Sequence, residues 1–507
     1  MYLILITYSK LFQNTPNTYF VKRIINGFNI DTLLIFKYTL LVLLSVAVLN
    51  CLFLKIIKSN IKKKNTYFVI LFIITIQFFV LPSTNNELFS LCKTLFYKDK
   101  VVEYYENERL KLIKDSIENK ENLISQLQKN NLEGTPSYLE NIIILQVESM
   151  NGYLVNKKTT PNFLEIADNG ILFPQFYSNS IETILGQENL LCSIPGSIKS
   201  MLIYGDYSDK ILCWPEIMKH LGYKTFFFKS YNLDFARTGE LMQKLQFDEI
   251  HADDIMSKDD PQYPWGFRED IFYQKVFDYI GKNKKEQNFF YIEIGPTNHW
   301  PFNTPPKLKS IVPHKNPKNH QEKLINTTFL QDKYLAIAWE KINEIFPEKN
   351  YTLIILSDHS WPAEFHKDNT LNQRMAFEEN FITSLALILG NKKEYKEKKI
   401  TNMYSHLDIL PTFLDFFQIK YPKNKFSQSF LPELLEKENY EKFIPLIQPS
   451  DNECPLNFIK NNLKYQYNAN KKQIIIYDLD KDPEEKNGQI IGHNPKENIK
   501  IIKKLLK

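Results

Sequence analysis

Residues 142–148 read Ile-Ile-Ile-Leu-Gln-Val-Glu: four apolar residues in succession, then Gln146, Val147 and an acid, Glu148. An apolar run this short, with no alternation, predicts a strand buried on both faces. A carboxylate closing such a strand is costly unless something pairs with it. The same design recurs at 353–359, Leu-Ile-Ile-Leu-Ser-Asp-His, which ends on Asp358 and adds the imidazole of His359. Three more runs of this kind, KTFFFK at 224–229, NFFYIEIG at 288–295 and ITSLALILG at 382–390, are separated by helical patterns. Together they predict an α/β fold, a central sheet with helices on both faces. In open sheets of this kind, ligands sit beyond the carboxyl ends of the strands. Glu148, Asp358 and His359 fall there.

Carboxylate oxygens with one imidazole suit Zn2+ or Mn2+ better than Ca2+. Glu148 alone also reads as a helix N-cap or a salt-bridged strand end. The two acid-ended strands together point to a metal site at the mouth of the sheet. Between them in sequence, residues 178–195 read SNSIETILGQENLLCSIP and place Thr183 just ahead of a helix-like run. A threonine hydroxyl is a poor nucleophile until a base or a metal activates it. No GxSxG elbow is present, so a metal-activated hydroxyl is the simpler idea. His299, in the GPTNHWPF loop after the 288–295 strand, can protonate a leaving oxygen or bind an anion, or be a packed loop histidine. Arg237, in NLDFARTG, can clamp a phosphate with both prongs or be a surface arginine.

The 507 residues are enough for two to four units. Sixty-three basic residues against 58 acidic leave a net charge of +5, which is not the balance of a nucleic-acid binder. Five scattered cysteines with no CxxC spacing exclude a disulfide scaffold and a Cys/His zinc module; Cys192 and Cys213 can pair if the domain lies outside the cytoplasm. Two apolar runs, at 33–54 and 66–82, read as transmembrane helices. The loop between them carries Lys55, Lys58, Lys62, Lys63 and Lys64, which by the positive-inside rule is cytoplasmic and puts everything after Pro82 outside. The expected organisation is therefore a membrane anchor over 1–84, a helical juxtamembrane linker over 85–138, a catalytic domain over 139–430 and a C-terminal antiparallel subdomain over 431–507. NNLKYQYNANKKQIIIYDLD supplies the hairpin signal for the last of these.

QVESM, TTPNFLEIADNGILFPQFYSN, IETILGQENLLCSIPG, GPTNHWPF, ILSDHS, YSHLDILPTFLDFF and YDLDKDPEEKN follow one another in order. In this order they resemble the sulfatase-like branch of the alkaline phosphatase superfamily, and within it lipoteichoic acid synthases and related membrane phosphoglycerol transferases. The likeness spans about residues 141–490. It implies Glu148, Thr183, Asp358 and His359 as ligands of one divalent ion, Mn2+ or Zn2+. It implies Thr183 as the residue that takes up phosphoglycerol, with His299 and Arg237 at the transferred group. Trp265, Gly266 and Asp270 match a structural pattern of the family. The implied reaction takes a phosphoglycerol group from a phosphatidylglycerol-like lipid at the membrane, holds it on threonine, and passes it to a cell-envelope glycan or polymer. Water as acceptor gives a hydrolase instead, and a non-catalytic membrane-anchored binding protein is the third reading. Three departures stand out. The formylglycine motif CxPSR of true sulfatases is absent, Phe235 and Ala236 stand where a tryptophan is expected before Arg237, and the two membrane runs are fewer than such synthases carry.

Overall fold

The computed structural model describes residues 99–129, 136–197, 202, 210–367, 369, 377–422, 424–436, 443–447, 456–469 and 471–506. The chain divides into two compact units, Met1–Tyr97 and Lys98–Lys507, and the described residues all belong to the second. The runs at 33–54 and 66–82 lie outside the described residues. Among the described residues, no helix is long and apolar enough to cross a membrane.

The main sheet is built from β1 (Asn141–Val147), β2 (Ile171–Tyr177), β3 (Lys224–Lys229) and β4 (Glu249–His251). A small hairpin follows, β5 (Gln262–Tyr263) with β6 (Gly266–Phe267). The sheet then continues with β7 (Asn288–Ile294), β8 (Tyr351–Ser357), β9 (Ile382–Leu389), β10 (Lys398–Lys399) and β11 (Tyr404–Ser405). Its order is β10-β2-β9-β8-β1-β7-β3-β4, with β11 also on β2. β1 runs parallel to both β7 and β8, and β3 parallel to β7 and β4. β9 is antiparallel to both its neighbours, so the sheet is mixed.

All five strands read from apolar runs are present. β2 escapes that reading because Pro174 interrupts it. Between Phe173 and Phe176 the pairing with β9 shifts by one residue, a bulge that absorbs the missing proline N–H.

Strand alternation sorts the side chains onto two buried faces. Ile143, Leu145, Val147, Phe226, Phe228, Phe290 and Ile292 join one core cluster with residues from the helices Pro161–Ala167, Glu269–Asn283 and His320–Ile345. On the other face, Trp214 packs against Phe289 and Phe413 at ring-centroid distances of 5.1 and 4.8 Å. Helices thus cover both faces, as expected. In chain order they are α1 (Lys100–Glu118), α2 (Lys120–Lys129), α3 (Pro161–Ala167), α4 (Thr183–Cys192), α5 (Trp214–His220), α6 (Thr238–Lys244), α7 (Glu269–Asn283), α8 (His320–Ile345), α9 (Ile409–Phe416) and α10 (Pro495–Leu505), with a single turn at Leu431–Leu434.

The C-terminal part is a five-stranded antiparallel sheet, β12 (Phe443–Ile447), β13 (Leu456–Lys460), β14 (Leu463–Asn468), β15 (Gln473–Asp478) and β16 (Gln489–Gly492), in sequential order. The stretch read as a juxtamembrane linker supplies α1 and α2, and α1 docks on this sheet. Val101, Val102 and Tyr105 pack with Phe458, Tyr467 and Ile474 of the sheet and Ile502 of α10. Asp99 caps α1 through the backbone N–H groups of Val101 and Val102, and its other oxygen accepts from Tyr467 Oη at 2.8 Å and from Lys472.

Candidate metal centre and nucleophile

β1 and β8 are parallel and in register, with Val147 opposite Ser357. The next residue on each, Glu148 and Asp358, therefore leaves the sheet side by side. Glu148, Asp358 and His359 are all buried, and one ligand atom from each lies within 4.8 Å of the others. His359 Nε2 stands 3.4 Å from Glu148 Oε1 and 3.3 Å from Asp358 Oδ2. His359 Nδ1 lies 2.9 Å from the Ser360 carbonyl, to which it donates; that fixes the ring and turns Nε2 toward the two acids. Asp358 Oδ1 accepts from the Ser149 and His359 N–H groups at 3.0 and 2.8 Å. Ser149 Oγ donates to Glu148 Oε1 at 2.7 Å.

Burial pushes the Asp358 carboxyl up, and the neighbouring Glu148 charge adds to it, reaching about 7. Burial acts the same way on Glu148, but the hydrogen bond and charge of His359 outweigh it and hold that carboxyl at about 2. Burial would lower the His359 imidazole; Asp358 and Glu148 carry it up to about 9 instead. In this arrangement a protonated His359 supplies the positive charge between the two acids; a bound cation would supply it instead and leave the imidazole neutral.

The residues fit a divalent ion. Asp358 Oδ2 is fully buried and receives no well-formed hydrogen bond, although its partner oxygen receives three, the third from Ser357 Oγ at 3.3 Å. An aspartate oxygen, a glutamate oxygen and an imidazole nitrogen then converge, which is a donor set for Zn2+ or Mn2+.

Thr183 is the first residue of α4, entered from an extended Glu182 (φ −137°, ψ 138°). Its hydroxyl lies near enough to Asp358 to help hold that carboxyl down, so it joins the same cluster from a third element. Gly186 explains how the helix comes so close. A Cβ there would sit 2.4 Å from the Asp358 carbonyl oxygen, so no other residue fits without moving backbone. At the helix's far end, Cys192 is disulfide-bonded to Cys213, with Cα atoms 4.4 Å apart. α4 begins at Thr183 with no side-chain cap, so its first-turn N–H groups have no intrahelical acceptor, an environment that favours anions.

His299 arrives on the loop after β7. Asn298 donates its amide to the Glu148 carbonyl at 3.0 Å and accepts from Thr327 at 2.7 Å, tying the loop to β1 and α8. Thr297 donates through its N–H (2.8 Å) and its hydroxyl to Glu269. Glu269 is fully buried, and burial pushes its carboxyl up to about 7 despite those bonds. His299 lies near enough to Glu148 to help hold that carboxyl down, and its ring lies 4.4 Å from that of Trp265.

Arg237 is committed to Glu240. Its Nε and Nη2 each donate at 2.6 Å, and it sits in the left-handed region (φ 57°) beside Ala236 (φ 53°). The ring of Trp265 also packs on Phe235 at 5.4 Å, so rings connect the Arg237 turn to His299. Trp265 is thus a wall of the site, beyond the structural part its sequence match implied. Gly266 and Asp270 do hold structure: a Cβ at Gly266 would meet the Ser230 carbonyl at 2.3 Å, and Asp270 takes a fork from Arg268 at 2.7 and 2.6 Å. Sequence reasoning does not single out Trp265, Gly186 or Asn298 as site residues. The one signal for Gly186 is its place in the ILGQEN helix three residues after Thr183.

Residues 140–419 match the Sulfatase family. No curated protein matches the sequence significantly. Among solved structures, the lipoteichoic acid synthase LtaP from Listeria monocytogenes superposes with a TM-score of 0.58 at 17% identity, over 76% of this chain and 95% of that one. An alkaline phosphatase superfamily protein from Vibrio parahaemolyticus gives 0.56 at 17% identity, over 73% and 89%. A 2-O GAG sulfatase gives 0.52 at 15% identity, over 72% and 90%.

Proposed function

The chain belongs to the Sulfatase family, within the alkaline phosphatase superfamily, and from that membership we propose that it is a metal-dependent phosphoglycerol transferase working through a covalent threonine intermediate. The observation that carries the reading is the meeting of Thr183, at the start of α4, with the convergent Glu148, Asp358 and His359. A divalent ion held by these residues, Mn2+ or Zn2+, would polarise a phosphoryl oxygen and acidify the hydroxyl beside it. Thr183 Oγ attacks the phosphorus of a phosphatidylglycerol-like headgroup, and its proton has Asp358 as a neighbouring acceptor. The bond from phosphorus to the diacylglycerol oxygen breaks, and His299 gives that oxygen its proton. The N–H groups at the start of α4 face the phosphoryl oxygens. A hydroxyl of a cell-envelope glycan or growing polymer then attacks the phosphothreonine ester, with His299 now taking its proton; the phosphorus–Oγ bond breaks, and Thr183 recovers its own proton from Asp358.

Thr183 in place of a formylglycine precursor speaks against sulfate-ester hydrolysis by the family's cysteine or serine route. The Cys192–Cys213 bridge supports placing the domain outside the cytoplasm, as does the lysine loop between the runs at 33–54 and 66–82. Arg237 acts on the substrate in this reading only if an anionic group displaces Glu240 from its fork.

The test is to incubate the full chain with Mn2+ and phosphatidylglycerol and search by mass spectrometry for a phosphoglycerol adduct on Thr183. Adding a glycerol-bearing acceptor should discharge the adduct onto the acceptor. Discharge onto water at the same rate would make the enzyme a phosphodiesterase. No adduct, with turnover of a sulfate ester, would sink the proposal.

A further inference from the structure

The mechanism leaves unused a buried polar chain on the face of the sheet opposite α7 and α8. Lys229, the last residue of β3, and Glu293, near the end of β7, are register partners and form an ion pair with side chains 5% and 7% exposed. The other oxygen of Glu293 accepts from Gln187 Nε2 at 2.8 Å. Gln187 is fully buried on α4, one turn after Thr183, and follows the Gly186 that touches Asp358. At the other end, Lys229 Nζ lies 3.3 Å from Thr238 Oγ1, and Thr238 opens α6 directly after Arg237. A continuous chain therefore runs from the Arg237 turn, through Thr238, Lys229, Glu293 and Gln187, to the helix that carries Thr183.

A buried ion pair is an inefficient way to hold a core together, because apolar residues of the same volume are commonly as stable. Its advantage is direction: hydrogen bonds fix distance and angle where apolar packing tolerates a slide. α4 needs that precision. With Gly186 against the Asp358 backbone, any shift of the helix changes where the Thr183 hydroxyl meets Asp358. Misplacement of a reacting group by about 1 Å can cost about a hundredfold in rate.

We propose that Lys229, Glu293 and Gln187 are positioning residues that lock the Thr183 helix to the Arg237 turn, so that the nucleophile and that turn keep a fixed separation. The inference rests on the phosphotransfer reading only for its kinetic test. Two variants probe it in the full chain: Gln187→Met, which keeps volume and removes the hydrogen bond, and the double variant Lys229→Met/Glu293→Met, which replaces the pair with apolar groups and leaves no charge stranded. With Mn2+ and bis(p-nitrophenyl) phosphate, both should lose about 10- to 100-fold in kcat, with KM and calorimetric Mn2+ affinity within about twofold of wild type. In the metal-free protein, amide hydrogen exchange over residues 183–187 should quicken at least about tenfold while β1 and β8 stay protected. Full kcat in a folded double variant would overturn the proposal. So would unchanged exchange at 183–187, whatever the substrate. If wild type turns over no phosphodiester, the proposed function fails, and the exchange experiment still decides whether the relay holds α4.

Discussion

Two buried clusters of acids and histidine stand among the described residues, and they are built to opposite specifications. In the one around Glu379, every carboxylate oxygen is answered. Oε1 accepts from the Ala363 and Phe365 N–H groups at 2.6 and 2.9 Å. Oε2 accepts from the His366 N–H and Nδ1, both at 3.1 Å, and from Asn369 at 2.9 Å. His366 Nε2 reaches the Pro483 carbonyl at 3.0 Å. Beside it, Glu378 takes the hydroxyls of Tyr153 and Tyr177, and Glu485 takes Lys464 and the Glu378 N–H. In the cluster around Asp358, an oxygen is left without a well-formed bond, and the imidazole nitrogen faces two acids. A network whose carboxylates are saturated joins the C-terminal sheet's loops to the segment after β8. An unsaturated one has room for a ligand. Burial and residue type do not distinguish them; satisfaction does.

Loss of the nucleophile should have the largest effect. Thr183→Ala is expected to lower turnover by about a thousandfold or more, with Mn2+ affinity retained within about tenfold by calorimetry. Asp358→Asn should weaken Mn2+ binding by at least about a hundredfold, since even partners of metal ligands contribute about 10- to 100-fold. Its melting temperature without metal should not fall, because the substitution removes a like charge beside Glu148. Glu379→Ala should do the reverse, costing about 3–5 kcal/mol of stability in denaturant titration by stranding His366 and three N–H groups, with Mn2+ affinity little changed in the folded fraction. If Glu379→Ala lost metal binding as Asp358→Asn does, the contrast between the clusters would collapse. The smallest effect falls on Glu269. Its carboxyl stands near 7 in the fold against an ordinary 4.5, so the folded state holds a proton that the unfolded chain releases between those values. Stability should therefore fall as pH rises from about 4.5 through 7. Glu269→Gln should match wild type near pH 4 and exceed it by about 1–3 kcal/mol at pH 8 in thermal melts.

The sheet is legible in the sequence because its central strands are buried on both faces, which writes them as unbroken apolar runs. The acids that end β1 and β8 stand out for the same reason. Features that depend on closeness across the fold are not legible. Gly186 looks like any helical glycine until the Asp358 carbonyl is seen against it. The Trp265 ring meets His299 from a hairpin 34 residues earlier in the chain. The opposite fates of Asp358 and Glu379, both buried acids near imidazoles, are decided by backbone N–H groups that no residue letter encodes. Arg237 is notable in sequence, but its letter does not show Glu240 closing on it.

The docking of α1 on the C-terminal sheet has a consequence for the order in which the domain can be made. α1 is the first described helix of this unit, and its partners Phe458, Tyr467, Ile474 and Ile502 lie far downstream of it and are synthesised long after it. Until they emerge, Val101, Val102 and Tyr105 have only part of their cover, from Leu407, Phe426 and Ile447, and closing the rest of the contact spans a very long loop. The main sheet can assemble while synthesis continues. The α1 contact is complete only once the C-terminal sheet has been made, so a chain cut short before β14 should leave α1 more open to proteases even where the metal cluster has formed.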